Sequence, residues 1–390
     1  MFKIKTLNKI AESGLERLEE EDCAAGSDMP DPDGILVRSF NMHDYVFNPE
    51  LLAVARAGAG INNIPVDRCT KEGIAVFNTP GANAEAVKEL AVCALLMASR
   101  DVVGGVEWVR SIAGNGDEVA AMVELGKSSF AGPEISGKTL GVVGLGAIGA
   151  RIANIALEFG MKVYGFDPYL SVDAAWQLSR EVTRAHDIDT VYKNCDYITL
   201  HIPYLPATHG MINEDALSKM REGVRLINLA RGELVCDEDL IAALDTAKVA
   251  RYVTDFPNGQ IAGLPNVVPL PHLGASTPES EEKCAEMAAA ELCDYLKNGN
   301  VKNSVNLPPV FLDRIGISRL CVIHLNVPRV ITRILDLIGG LDINVEHMIN
   351  KQRGEYAYTI IDTGTRINGD ISENIRKMKE VIRVRILQNE

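Results

Sequence analysis

The sequence predicts an α/β protein: two doubly wound parallel-sheet domains followed by a small βαββαβ module. Three observations carry that expectation. Three spaced glycines stand between an apolar run and a segment of helical periodicity at 140–157; short apolar runs alternate with amphipathic segments on both sides of it; and after Pro308-Pro309 the order of elements changes.

Composition sets the outer bounds. The chain has 390 residues, 47% apolar and 24% charged, which suits two or three soluble domains with sizeable cores. A net charge of −14 disfavours nucleic acid or an anionic membrane as partner. Eight cysteines are scattered without a CxxC pair or a zinc-like His spacing, so they read as reduced thiols, with no metal site. The start, Met1 to Leu7, lacks a signal-peptide run, and the longest apolar stretch, Leu90 to Ala98, is too short to span a bilayer. A cytoplasmic protein is expected.

In chain order, Gly34–Arg38, Leu52–Arg56 and Ile74–Asn78 read as strands of a first α/β unit, each ending in a polar residue. Ligands sit at the carboxyl ends of such strands, which makes Arg38 and Arg56 candidates for anion contacts. The small-residue turn Arg56-Ala57-Gly58-Ala59-Gly60 can offer backbone N–H groups to a carboxylate. From Asn83 to Arg100 the apolar spacing is helical, and residues 111–138, rich in glycine, read as a loop-rich approach to the central strand.

That strand, Leu140–Val143, runs into Gly144-Leu145-Gly146-Ala147-Ile148-Gly149 and then a helix. The first glycine permits the turn, the second admits a pyrophosphate to the backbone, and the third lets the helix start pack on the strand. The next strand, Lys162–Phe166, ends in Asp167, about 20 residues on, where a carboxylate accepts the ribose hydroxyls of NAD and repels a 2′-phosphate. The pattern is Rossmann-like and favours NAD over NADP.

Further strands at Tyr197–His201, Val224–Leu229, Arg251–Asp255 and Val267–Leu270 each deliver a polar site: His201-Ile202-Pro203, Ala230-Arg231-Gly232, Asp255-Phe256-Pro257 and the turn from Pro271 to Thr277. These ends form an active-site floor, which makes Pro203, Leu229, Ala230 and Arg231 candidates for cofactor contacts. His272 is the candidate acid/base and Arg231 can fork onto a carboxylate; His201 reads as structural. The segment Pro278–Leu296 reads as a helix returning to the first domain. Residues 318–390 then read strand, helix, strand, strand, helix, strand, a ferredoxin-like order. The domains are thus 1–88 with 278–305, then 89–277, then 316–390.

Gly144–Gly149, Asp167-Pro168, Asn228–Gly232 and Pro271–Thr277, in this order, resemble the D-2-hydroxyacid dehydrogenase superfamily. Val37-Arg38-Ser39, Arg56–Gly60 and Asn78-Thr79-Pro80 narrow the resemblance to its phosphoglycerate dehydrogenase branch, and the C-terminal module resembles the ACT domain many of those enzymes carry. The resemblance implies NAD-dependent oxidation of D-3-phosphoglycerate in a homodimer or homotetramer. It implies catalytic roles for Arg231 and His272, and NAD contacts from Ala147, Ile148, Asp167, Asp255 and the turn His272-Leu273-Gly274-Ala275. Arg38 and the Ala59-Gly60 backbone would face the phosphorylated hydroxy acid.

Two positions depart from the family pattern. The glutamate expected five residues after Asp255 is Gln260, and no glutamate occurs between Asp255 and Thr277, so His272 acts alone or leans on a carboxylate from elsewhere. In the ACT-like module the residues matching those that bind L-serine as effector are His324, Asn326 and Asn344, but Arg329 stands where the family has glycine and crowds that pocket. Alternative functions are reduction of an unphosphorylated acid such as glyoxylate or hydroxypyruvate, against which Arg38 and the ACT-like tail argue, and NAD sensing like that of corepressors, against which the Arg231/His272 pair argues.

Overall fold

The computed structural model describes residues 1–388 and divides into two compact units, 1–83 with 278–390 and 84–277. Five strands precede the division: β1 (Phe2–Leu7), β2 (Cys23–Gly26), β3 (Gly34–Val37), β4 (Ala53–Arg56) and β5 (Ala75–Phe77). Seven belong to the second unit: β6 (Thr139–Val143), β7 (Lys162–Phe166), β8 (Thr183–Arg184), β9 (Tyr197–Leu200), β10 (Val224–Asn228), β11 (Val249–Thr254) and β12 (Val267–Pro269). Four close the chain: β13 (Ser318–Leu325), β14 (Val345–Arg353), β15 (Tyr356–Thr363) and β16 (Val381–Gln388).

In the second unit the order is β12-β11-β10-β9-β6-β7-β8, parallel throughout. The strand order reverses between β6 and β9, and a ligand site is expected outside the carboxyl ends at that switch. Two cores cover the sheet. Helix Ala84–Ser99 lays Val87, Ala91, Ala94, Leu95 and Ala98 against Leu140, Val142, Ile227 and Val253, while Val191, Leu217, Leu240 and their neighbours fill the opposite face. Strands covered on both sides read as nearly continuous apolar runs, which is why β6 and β9 were recognisable in the sequence.

One expectation fails. The stretch 111–138 is not mainly loop: 3-10 turns at Ala113–Glu118 and Lys127–Phe130 flank an α-helix, Val119–Gly126. Between Gly116 and Gly126 lie Ala120, Ala121, Met122, Glu124 and Leu125, all good helix formers. The glycines punctuate the ends of the helices; they do not dissolve what lies between.

In the first unit β2-β1-β3-β4-β5 form a parallel sheet of flavodoxin-like order, with helix Pro278–Asn298 on one face. The C-terminal strands form an antiparallel sheet, β14-β15-β13-β16, of ferredoxin-like order. Strand alternation gives that sheet two apolar faces. Leu320 and Val322 meet Ile334, Ile338, Ile371 and Ile375 of the module's own helices, whereas Cys321, Ile323, Tyr358 and Ile360 join a core with Phe77, Leu292 and Tyr295. The module is therefore packed into the first unit on the face its helices leave open.

Polar contacts seal the same seam. Arg319, fully buried, uses all five of its N–H groups: two on the Asp362 carboxylate at 2.6 Å each, and three on the carbonyls of Asn298, Leu312 and Asp313 at 2.8–2.9 Å. Arg385 donates to the carbonyls of Tyr295 and Leu296 while its guanidinium lies 4.7 Å over the Tyr295 ring, and the Tyr358 hydroxyl donates to Gly299 O at 2.7 Å. These groups satisfy the orphan carbonyls at the end of helix Pro278–Asn298, where positive charge is favoured by the helix dipole.

Candidate active site

The glycine turn is built by steric necessity at two of its three positions. Gly144 has φ +90, a backbone that disfavours any side chain, and a Cβ there would lie 2.5 Å from the His201 carbonyl. A Cβ on Gly149 would lie 1.9 Å from Gly144 O. Gly146 is different: a Cβ there meets nothing of the protein, so the openness in front of helix Ala147–Glu158 is available to a ligand. Asp167 at the end of β7 is tied to this turn, its Oδ2 accepting the Leu145 N–H and its Oδ1 the Tyr169 N–H, both at 2.9 Å. Each oxygen keeps a lone pair for further donors.

At the ends of β10, β11 and β12 three side chains gather. Asp255 is almost fully buried; its Oδ2 accepts the Gly274 N–H at 3.1 Å and its Oδ1, also buried, has no partner among the described residues. Burial raises its carboxyl above the ordinary value, against the Gly274 hydrogen bond and the positive charge of His272 and Arg231, which lower it. His272 sits at φ +49 in the turn that Gly274 closes, with its N–H on Leu270 O at 3.0 Å. Its ring stands 4.5 Å from the ring of Phe256, and the Arg231 guanidinium lies 5.6 Å over that same ring. Phe256 thus packs against both candidate catalytic groups. No role for Phe256 was legible beforehand, because an aromatic residue after a strand-end aspartate carries no signal by itself.

The other expected positions distribute as follows. Pro203 and Leu273 are exposed, Ala230 and Ala275 half-buried and Leu229 buried, all at strand ends of the second unit. His201 donates to or accepts from Thr199 Oγ1 at 2.8 Å, and burial pushes its imidazole down to about 3, so it stays neutral. Gln260 is exposed in a turn whose N–H groups are capped by Asn258 Oδ1. In the second unit no carboxylate hydrogen-bonds the His272 ring among the described residues. Asp255 is tied to the same turn through the Gly274 N–H.

Arg38, Ala59 and Gly60 belong to the first unit. Arg38 donates to the Glu281 carboxylate, both half-exposed; the Arg56 Nε–H reaches Arg38 O at 2.9 Å, and Asn78 Nδ2 holds Ala59 O at 2.6 Å. In the ACT-like module the His324 ring is buried, with one nitrogen on Leu325 O and the other on Thr359 Oγ1, and burial lowers its pKa. Asn326 and Asn344 are exposed. Arg329 adopts φ +71, the left-handed conformation that glycine takes most readily.

Residues 92–274 match the D-isomer specific 2-hydroxyacid dehydrogenase NAD binding domain. Over 331 residues, 80% of the chain, it is 32% identical to a D-3-phosphoglycerate dehydrogenase of Bacillus subtilis, and over 312 residues, 76% of the chain, 31% identical to that of Homo sapiens. The chain spans 60% and 55% of the length of those two relatives. Among solved structures, an NAD+-bound 3-phosphoglycerate dehydrogenase of Entamoeba histolytica superposes with a TM-score of 0.61 at 26% identity, covering 80% of this chain and 99% of that one.

Proposed function

We propose that this chain, which matches the D-isomer-specific 2-hydroxyacid dehydrogenase NAD binding domain over residues 92–274, is a member of that family and oxidises D-3-phosphoglycerate to 3-phosphohydroxypyruvate with NAD, the first step of L-serine biosynthesis. The observation that carries the chemistry is the placement of His272 and Arg231 against the same Phe256 ring, with Asp255 tied to the His272 turn and keeping one buried oxygen unused. The substrate rests on the names of the relatives and on Arg38.

The residues fit the cofactor: an open approach at Gly146, lone pairs on Asp167, and an orphaned acceptor on Asp255 that suits an amide N–H. NAD bound there supplies the hydride acceptor. Asp167 accepts ribose hydroxyls and repels a 2′-phosphate. Arg231 forks onto the substrate carboxylate and draws charge from the adjacent oxygen, and His272 takes the hydroxyl proton as the C–H hydride leaves and the carbonyl forms. With glutamine at position 260, the imidazole is oriented by its own turn and by Phe256.

Arg38 supplies the discrimination between phosphorylated and plain acids. Its pairing with Glu281 is the one observation that favours the runner-up, reduction of an unphosphorylated 2-keto acid such as glyoxylate or hydroxypyruvate, since the carboxylate occupies the cation a phosphate would need. Steady-state kinetics with NAD and either D-3-phosphoglycerate or D-glycerate decides. Arg38→Ala should raise KM for the phosphorylated substrate about 10- to 100-fold, the worth of one charge-assisted hydrogen bond, and leave that for D-glycerate little changed. Equal losses, or preference for D-glycerate in the wild type, place Arg38 outside a phosphate site and favour the runner-up.

The protein works in the cytoplasm as a homodimer or homotetramer in this reading, without nucleic acid or membrane partners; no described helix is long and apolar enough to cross a membrane. L-serine remains the effector proposed for the C-terminal module. Asn326 and Asn344 would meet it, and His324, with both ring nitrogens engaged internally, would hold the strand behind them.

A further inference from the structure

Within the first unit, helix Pro278–Asn298 carries one buried carboxylate that the chemistry above does not use. Glu291 is only 7% exposed. Its Oε1 accepts the Asn303 Nδ2–H at 2.5 Å, and its Oε2 is buried with no partner among the described residues. Asn303 is held at φ +41, a backbone that asparagine tolerates when its side chain is anchored. The segment it opens pairs with the end of β5: Ser304 bridges Phe77, Val305 N–H bonds Val76 O at 2.9 Å, and Asn303 O accepts the Asn78 N–H at 3.4 Å.

The path continues to the small-residue turn. Asn78 Nδ2 holds Ala59 O at 2.6 Å and the Thr79 N–H holds Gly58 O at 3.2 Å, so two consecutive residues after β5 fix two consecutive carbonyls of that turn. Fixing a carbonyl fixes the plane of its peptide, and with it the direction of the following N–H. For Ala59 O that N–H belongs to Gly60.

We propose that Glu291 is a positioning residue for the Ala59-Gly60 turn, acting through Asn303 and Asn78 on the affinity for the substrate's anionic group. The proposal rests on the reading that this turn faces the substrate. An ionised carboxylate is the stronger acceptor, so ionisation of Glu291 tightens the anchor. Burial lifts this carboxyl to about 7, with the Asn303 hydrogen bond and Lys302 opposing. A cavity of about 360 Å³ against the same helix brings Arg17, Glu21, Asp294, Lys297 and Lys302 around it. Arg17 and Lys297 are both paired to Glu21, and Asp294 accepts from Asn298 and Asn300. That leaves Lys302 as the cation whose charge favours the ionised form of Glu291.

The test combines kinetics with a substrate-free signal. In the wild type KM for D-3-phosphoglycerate should fall as pH rises from 6 to 8, by up to about tenfold for one net hydrogen bond, with kcat unaffected by this group. Glu291→Gln keeps an acceptor and the shape and should abolish that dependence; Glu291→Ala should raise KM at every pH. In selectively 15N-glycine-labelled wild-type protein without substrate, the Gly60 amide resonance should titrate with a midpoint near 7, and in Glu291→Gln it should not. A Gly60 resonance indifferent to pH overturns the proposal while leaving the site reading to the Arg38 experiment. A resonance that titrates while neither Glu291→Gln nor Arg38→Ala alters KM overturns it through the site reading instead.

Discussion

Arg329 illustrates what one residue can cost. It opens helix Val330–Gly339 at φ +71, where a Cβ is unfavourable by about 1–2 kcal/mol. Arg329→Gly should therefore stabilise the protein by about 1 kcal/mol once the greater freedom of glycine in the unfolded chain is counted, read as a rise in the denaturant midpoint at unchanged slope. No change would mean the guanidinium has gained contacts that offset the strain. Glu291 makes the opposite kind of contribution, one set by pH. Its carboxyl titrates near 7 in the fold against an ordinary 4.5, so between those values the folded protein binds more protons than the unfolded chain and stability declines as pH rises through that window. Glu291→Gln should then gain stability relative to wild type by roughly 1–3 kcal/mol more at pH 8 than at pH 5, measured as the difference in unfolding free energy; a gain independent of pH would assign the effect to packing. Residues such as Gly144, Gly149 and Asp167 were legible in the sequence because their demands are local, a turn, a close approach and a strand end. Phe256 and Glu291 were not, because their roles come from neighbours brought together by the sheet and by a segment twelve residues on.

At the scale of elements, helix Val102–Ile112 presents Val102, Val103, Val106 and Val109 to solvent, between 38% and 50% exposed. Residues spaced by three and four lie on one helix face, and an exposed apolar stripe of this kind marks a protein–protein contact. If it is the surface through which the proposed homo-oligomer forms, Val106→Asp should shift the protein toward a monomer in sedimentation velocity, with the far-UV spectrum retained. An unchanged sedimentation coefficient would move the contact elsewhere. The neighbouring helix Val119–Gly126 shows where element-level reading failed: six glycines or prolines between positions 114 and 137 look like a loop, yet the nine residues between Gly116 and Gly126 are enough for two helical turns. Strands β3–β7 and β9–β12 were easier, since burial writes itself into the sequence as short apolar runs, whereas β1, β2 and β8 were not read.

At the scale of the molecule, the C-terminal module's order of elements was legible, but its packing was not, because Arg319 and Asp362 lie far apart in sequence and each alone reads as a surface charge. Removing one partner of a buried, hydrogen-bonded pair costs about 3–5 kcal/mol, so Arg319→Leu should lower the unfolding free energy of the whole first unit by that order, and hydrogen exchange should report faster opening of β1–β5 as well as of β13–β16. Exchange confined to the C-terminal strands would show that the module unfolds by itself. The division of that unit between the two ends of the chain has a further consequence, for synthesis. The first 83 residues leave the ribosome with Leu36, Ala55 and Phe77 facing a helix, Pro278–Asn298, that does not yet exist. About 200 intervening residues must be made first, roughly 10–40 s at about 5–20 residues per second. During that interval the second unit can close on its own, while the amino-terminal sheet waits with one apolar face bare and open to aggregation.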